Sequence, residues 1–144
     1  MGLIALHSAH FSKMMKLLLG TTMSLSWREN DSEKLWCIAP THPIAAGVPM
    51  LVTIPHEEMY GEFFDIPKPD EVVFFGTFSD GEVFRSGCTF TRGYGKIFSF
   101  QPRHEEYPIY YMPEVRRILK NAADFCKPAV RLRAEPDCRQ IVRE

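Results

Sequence analysis

The sequence predicts a mixed α/β domain, a layered sheet with helices on its faces, and three observations carry that prediction. Residues 2–6 (GLIAL) form an unbroken apolar run, the mark of a strand buried on both faces, and an amphipathic stretch follows it. Asp80-Gly81 separates two β-rich runs, a strong short-range hairpin signal. Pro113 opens a segment in which Val115, Ile118, Leu119, Ala122 and Phe125 recur at helical spacing, so a helix is expected to dock on the sheet there.

The elements follow in order. After the strand at 2–6, His7-Ser8-Ala9-His10 makes a turn, with Ser8 the expected N-cap of the next helix. That helix places Phe11, Met14, Met15 and Leu18 on one side and Lys13 and Lys16 opposite, and Gly20 stops it. Residues 21–34 are polar and read as a loop ending in the charged run Arg28–Lys34. LWCIA (35–39) is a short strand, Ile44–Gly47 a single helical turn after His42, and Met50–Ile54 a strand broken by Pro55. The segment 56–69, rich in acids, aromatics and prolines, is expected to be an ordered loop. Val72–Ser79 and Glu82–Thr89 form the hairpin, Arg92–Gly95 turns the chain again, and Lys96–Phe100 is the last strand. Pro128 ends the final helix. The domain is expected over residues 1–127, followed by a partly disordered tail over 128–144.

Composition narrows the class of function. A chain of 144 residues is one domain by length, and it can bury a core without staples. Seventeen basic and eighteen acidic side chains leave a net charge of -1, which argues against a nucleic-acid partner. No segment approaches the ~18 apolar residues of a membrane span, and the amino terminus lacks a signal-peptide pattern. Four cysteines without a C-x-x-C pair suggest neither a zinc knuckle nor a disulfide framework, so reduced thiols in a cytoplasmic protein are expected.

The candidate chemistry lies in histidines and carboxylates. His7, His10, His42, His56 and His104 all fall in expected loops or at strand ends, none at an apolar core position, with Glu57, Glu58, Glu62 and Glu105 nearby in sequence. Polar groups at the carboxyl ends of buried strands are where open α/β sheets place ligands. Such a set suits acid–base transfer near neutral pH, or coordination of a divalent ion such as Zn²⁺ by His7, His10, His56 and His104, although no H-E-x-x-H spacing is present. Arg85 sits inside a β-rich run, where it must either grip a substrate or form an internal salt bridge to Glu57, Glu58 or Glu82. Tyr60, Tyr107, Tyr110 and Tyr111 supply aromatic faces of the kind sugar sites use. Cys88 is expected to pack as a small hydrophobe.

The stretches GLIALHSAHFSK, WCIAPTHPIAAG, IPHEEMYGEFFDIPKPDEVVF, GEVFRSGCTF, RGYGKIFSFQP and HEEYPIYYMPEVRRILKNA, in this order and spacing, resemble the ThuA-like (trehalose-utilisation) family over residues 2–126. The resemblance implies a flavodoxin-like, class I glutamine amidotransferase-like sheet with helices on both faces. It also implies that the amino-terminal strand–helix units of the family's domain are missing. Three positions depart from the family pattern: Arg103 stands for a glycine, Met112 for an N-capping asparagine, and Phe78 for a tryptophan.

In that fold the turn at 6–9 takes the place of a nucleophile elbow. It carries no thiol, which argues against cysteine-dependent glutaminase chemistry; Ser8 with His10 as base is the alternative, beside a purely capping Ser8. The family implies a role in carbohydrate metabolism, on trehalose or a related oxidised disaccharide. The expected site combines His10, His104 and Glu57 as catalytic groups with His7, Ser8, His56, Arg85 and Tyr107 as sugar-binding groups, and Glu57 with Glu105 could serve a glycoside hydrolysis. The competing expectation is a non-catalytic sugar-binding or assembly module, a shortened paralogue with an incomplete site. An uncovered sheet flank would favour a homo-oligomer.

Overall fold

In a computed structural model, residues 2–102, 104 and 106–128 are described. These residues form six strands, β1 (Leu3–Leu6), β2 (Ser26–Cys37), β3 (Leu51–Gly61), β4 (Glu71–Thr77), β5 (Val83–Arg92) and β6 (Gly95–Phe100), and two α-helices, α1 (Lys13–Leu19) and α2 (Pro113–Cys126). They form one curled mixed sheet in the order β1-β6-β5-β4-β2-β3. Among the described residues only β1 and β6 run parallel, with Leu3 opposite Ile97 and Leu6 opposite Phe100. The other pairs are antiparallel. The tail beyond residue 128 and the departure at Arg103 lie outside the described residues.

Alternation along β6 divides the core in two. Phe98 and Phe100 join Val115, Ile118, Ala122 and Cys126 of α2 in one cluster. Ile97 joins Met15 and Leu19 of α1, with Tyr60, Phe64, Phe84 and Phe90, in the other. Successive strand residues face opposite sides, so the helices cover opposite faces of the sheet. The α2 reading holds in detail: Pro113 is in its first turn, and Met112 offers no side-chain cap.

Helix α1 starts later than its sequence pattern suggests. His7–Phe11 form a 3₁₀ turn, and the N-cap is Ser12, whose hydroxyl accepts from the Met15 amide at 3.2 Å; Ser8 is exposed and does not cap. The shift rotates the apolar phase, so Met15 and Leu19 are buried while Phe11 and Met14 are 43% and 49% exposed. Gly20 ends the helix in the left-handed region, as its position suggested.

Two larger corrections concern strands. The charged run read as a loop is the first half of β2, whose Asp31, Glu33, Leu35 and Cys37 all point inward while Ser32, Lys34 and Trp36 are exposed. Pro55 does not break β3. The edge strand runs on to Gly61, and the pairing shifts between Asp31 opposite Glu57 and Glu33 opposite Ile54. A proline on an edge strand at such an irregularity interrupts no ladder on its free side. Past it the buried phase moves from Val52 and Ile54 to Glu57 and Met59. The hairpin at Asp80-Gly81 and the turn at Arg92–Gly95 stand as predicted.

Candidate functional site

The carboxyl end of β1 delivers His7 in a strained backbone conformation, with φ +45°. A side chain in the left-handed region costs roughly 1–3 kcal/mol and persists only where its surroundings over-determine it. Here they do. His7 Nδ1 lies 3.3 Å from the carbonyl oxygen of Gln101, just beyond β6, and its ring stacks on Tyr60 with centroids 4.8 Å apart. Nε2 lies 2.7 Å from Oε2 of Glu58 on β3 and 3.3 Å from the Tyr60 hydroxyl. A carbonyl can only accept, so Nδ1 carries a proton and Nε2 is the nitrogen turned toward Glu58.

From His7 a series of rings leads outward. His104 meets it edge to face at 5.9 Å, Tyr107 lies 5.1 Å beyond His104, and His56 is 6.4 Å from Tyr107. Tyr107 donates its hydroxyl proton to Asn30 Oδ1 at 2.6 Å, which ties the 104–107 loop to β2. His7, His56 and His104, separated by up to 97 positions in the chain, therefore share one rim where β1 and β6 end. His56 is exposed, and His104 and Tyr107 are half-buried.

Other sequence candidates are placed elsewhere. His10 is buried, at 1% exposure, with its ring 5.6 Å from Phe64 and 6.3 Å from Tyr60. Burial, with the neighbouring His7 charge adding to it, pushes its imidazole down to about 4, so it stays neutral. His42 is a structural cap: its Nδ1 accepts from the Ile44 amide at 3.1 Å, its ring lies 4.8 Å from Phe125, and burial pulls its basicity down. The expectation that no histidine occupies a core position thus fails for His7, His10 and His42, because the turns carrying them are covered by the aromatic loop residues and by α2.

Glu57 is fully buried beside Glu33 and faces away from solvent, and the carboxylate that meets His7 is its neighbour Glu58, 12% exposed. Arg85 is held by a partner outside the set expected from sequence. Its guanidinium grips Glu62 at 2.7 and 2.9 Å and the Phe64 carbonyl at 2.6 Å. The bidentate partner keeps the Glu62 carboxyl below its ordinary range even though burial opposes this. Arg85 is thereby a clamp on the 62–64 segment. Among the described residues Ser8 makes no hydrogen bond to His10, and no group of three His, Cys, Asp or Glu side chains converges on a metal-binding geometry. Glu105 lies outside the described residues. Cys37, Cys88 and Cys126 are free and buried, and burial pushes the Cys88 thiol up to about 12, as suits a packing residue.

The sequence reading missed Gln101, Asn30 and the pairing role of Glu58. Gln101 is fully buried and donates from Nε2 to the Glu58 carbonyl at 2.8 Å while its own carbonyl orients His7. Its place directly after an apolar strand was the available signal. Two surface hollows, one at Leu19–Thr22 with Asp65–Pro67 and one between β1 and the end of α2, lie away from this rim.

Fold and rim together define an α/β protein with a histidine–carboxylate pair on a strand–turn–helix corner. The ThuA family model, described as trehalose utilisation, matches residues 1–126, and the chain belongs to that family. A comparison with curated proteins finds no match.

Proposed function

We propose that the chain handles a disaccharide of trehalose metabolism at the rim formed by His7, Glu58, His56, His104 and Tyr107. The observation that carries this reading is the 2.7 Å contact between His7 Nε2 and Glu58 Oε2, with Nδ1 fixed on the Gln101 carbonyl. A histidine oriented on one nitrogen and paired with a carboxylate on the other can pass a proton to or from a sugar hydroxyl or glycosidic oxygen. The ring faces of His104 and Tyr107, tilted at 41° to one another, suit the apolar face of a pyranose ring, and His56 adds a polar group at the outer end. The family's role in trehalose utilisation supplies the substrate class.

The flavodoxin-like layering belongs to the same proposal. It is supported by the parallel β1–β6 pair with α1 and α2 on opposite faces. A homo-oligomer is part of it too, since β1 is hydrogen-bonded on one side only among the described residues. A second reading, a sugar-binding module without catalysis, is favoured by the 3% exposure of His7.

The test is a titration of the histidine side-chain NMR signals with trehalose and with a keto-disaccharide derived from it, followed by an assay for turnover. Shifts confined to His7, His56 and His104 support the site, and turnover selects the enzyme over the binding module. Unmoved imidazole signals with both sugars would overturn the assignment.

A further inference from the structure

We propose that Glu33 of β2 and Glu57 of β3 share one proton as a buried carboxyl pair, a lock that holds the β2–β3 arm to the sheet and weakens as pH rises. Both side chains are fully buried. The cradle around them is built for a carboxyl. Ser86 Oγ donates to Glu33 Oε1 at 2.5 Å, and Gly76 leaves the space in which that oxygen sits, since a Cβ there would lie 2.0 Å from Glu33 Oε1 and 2.5 Å from Ser86 Oγ. Among the described residues no hydrogen bond of normal geometry reaches the remaining oxygens, Glu33 Oε2 with Oε1 and Oε2 of Glu57, and the Gln101 side chain near Glu57, which favours its ionised form, is outweighed by burial.

The charged groups around the pair are committed elsewhere. On β2, Asp31 is bound by Arg28 and by the amides of Ser32 and Ser79, while Arg28 also pairs with Asp80 and Glu82. On β5, Arg85 is taken by Glu62. Beyond Gln101, His7 pairs with Glu58. Lys34 and His56, the strand neighbours, are exposed, and β4 contributes Gly76. Asp31 adds only like charge.

Two carboxylates cannot both ionise side by side in a low-dielectric interior without a cation, whereas one proton between them bridges two of the three remaining oxygens and halves the charge. Burial raises both groups above the ordinary carboxylate range, Glu57 further because the Glu33 charge opposes its ionisation. The sign follows from linkage. A group whose folded value is raised contributes stability that is complete below its unfolded value near pH 4.5 and is lost as pH rises through the folded value. Opening the pair frees the contact between the arm and Ser86 of β5.

The deciding measurement is the infrared spectrum of the whole chain at neutral pH, where a protonated carboxylic acid gives a C=O stretch distinct from that of ionised carboxylates. The expected result is such a band, altered in position or intensity in Glu33→Gln and in Glu57→Gln and lost when both are replaced by Gln. Hydrogen exchange gives a second readout. As pH rises above 4.5 the β2–β3 amides should gain about tenfold in exchange beyond the intrinsic base-catalysed rise, and Glu57→Gln should remove that gain. A wild-type spectrum without the protonated band at neutral pH overturns the proposal. So does a gain with rising pH that Glu57→Gln leaves unchanged. If both variants fail to fold, the wild-type band decides alone.

Discussion

Oε2 of Glu58 lies 2.7 Å from Nε2 of His7, across 51 positions of chain, and the two are joined again through Gln101, which donates to the Glu58 carbonyl and accepts from His7. The pair is thus fixed from both sides. Glu58 is oriented through its own backbone, and His7 is held at a strained turn by the stack on Tyr60. Such double fixation restricts both partners to one geometry before any ligand arrives.

Replacing Glu58 by Gln keeps the size and hydrogen-bonding reach of the side chain but removes its proton affinity. On the acid–base role proposed for the pair, turnover of a disaccharide substrate should fall by about 10²-fold or more, with sugar affinity changed much less. Steady-state kinetics of the folded variant check this; an unaltered kcat would remove Glu58 from the chemistry.

His10 predicts an acid-side loss of stability. Its folded value of about 4 lies below the 6.5 of an exposed imidazole, so the unfolded chain binds the extra proton between those values. Stability should be complete above pH 6.5 and decline as pH falls toward 4, by up to about 3 kcal/mol from this group. His10→Phe, which suits the Phe64 and Tyr60 rings, should flatten this part of the profile in urea titrations at pH 7 and pH 4.5.

Arg85→Met should cost about 2 kcal/mol in unfolding free energy, because it strips two hydrogen bonds from Glu62 and one from the Phe64 carbonyl in a half-buried setting. The Glu62 carboxyl, held low by that guanidinium, contributes stability above its unfolded value and loses it as pH falls through the folded one. The variant should therefore show a weaker decline in acid. Trehalose-dependent shifts of His56 and His104 should remain as in the wild type.

Gly76→Ala should destabilise the chain by about 1–3 kcal/mol through overpacking, since the added methyl meets Glu33 Oε1 and Ser86 Oγ. Calorimetry of the variant gives the cost. Pairing the substitution with Glu33→Ala, which vacates the contact, should recover part of it.

Much of the local structure is legible in the chain, and the misses share a cause. Helix α2, the two tight hairpins and strands β1 and β6 follow from apolar spacing and turn residues within short windows. Strand β2 escapes that reading because two of its inward positions are Asp31 and Glu33, so its period of two is invisible to hydropathy. Strand β3 escapes it because Pro55 marks an irregularity at a free edge, which resembles a stop in one dimension.

The residue order fixes the family, the helix at 113–126 and the clustering of histidines near strand ends, because each depends on neighbours within a few turns or on the identity of whole motifs. Which of those histidines reach a common rim, and which carboxylate His7 meets, depends on the curl of the sheet and the shift in the β2–β3 ladder. A single-residue shift turns every side chain beyond it to the opposite face, and here it buries Glu57. Burial in turn decides protonation, making His10 a neutral core group. Such long-range register and dielectric effects have no signature in any short stretch of sequence.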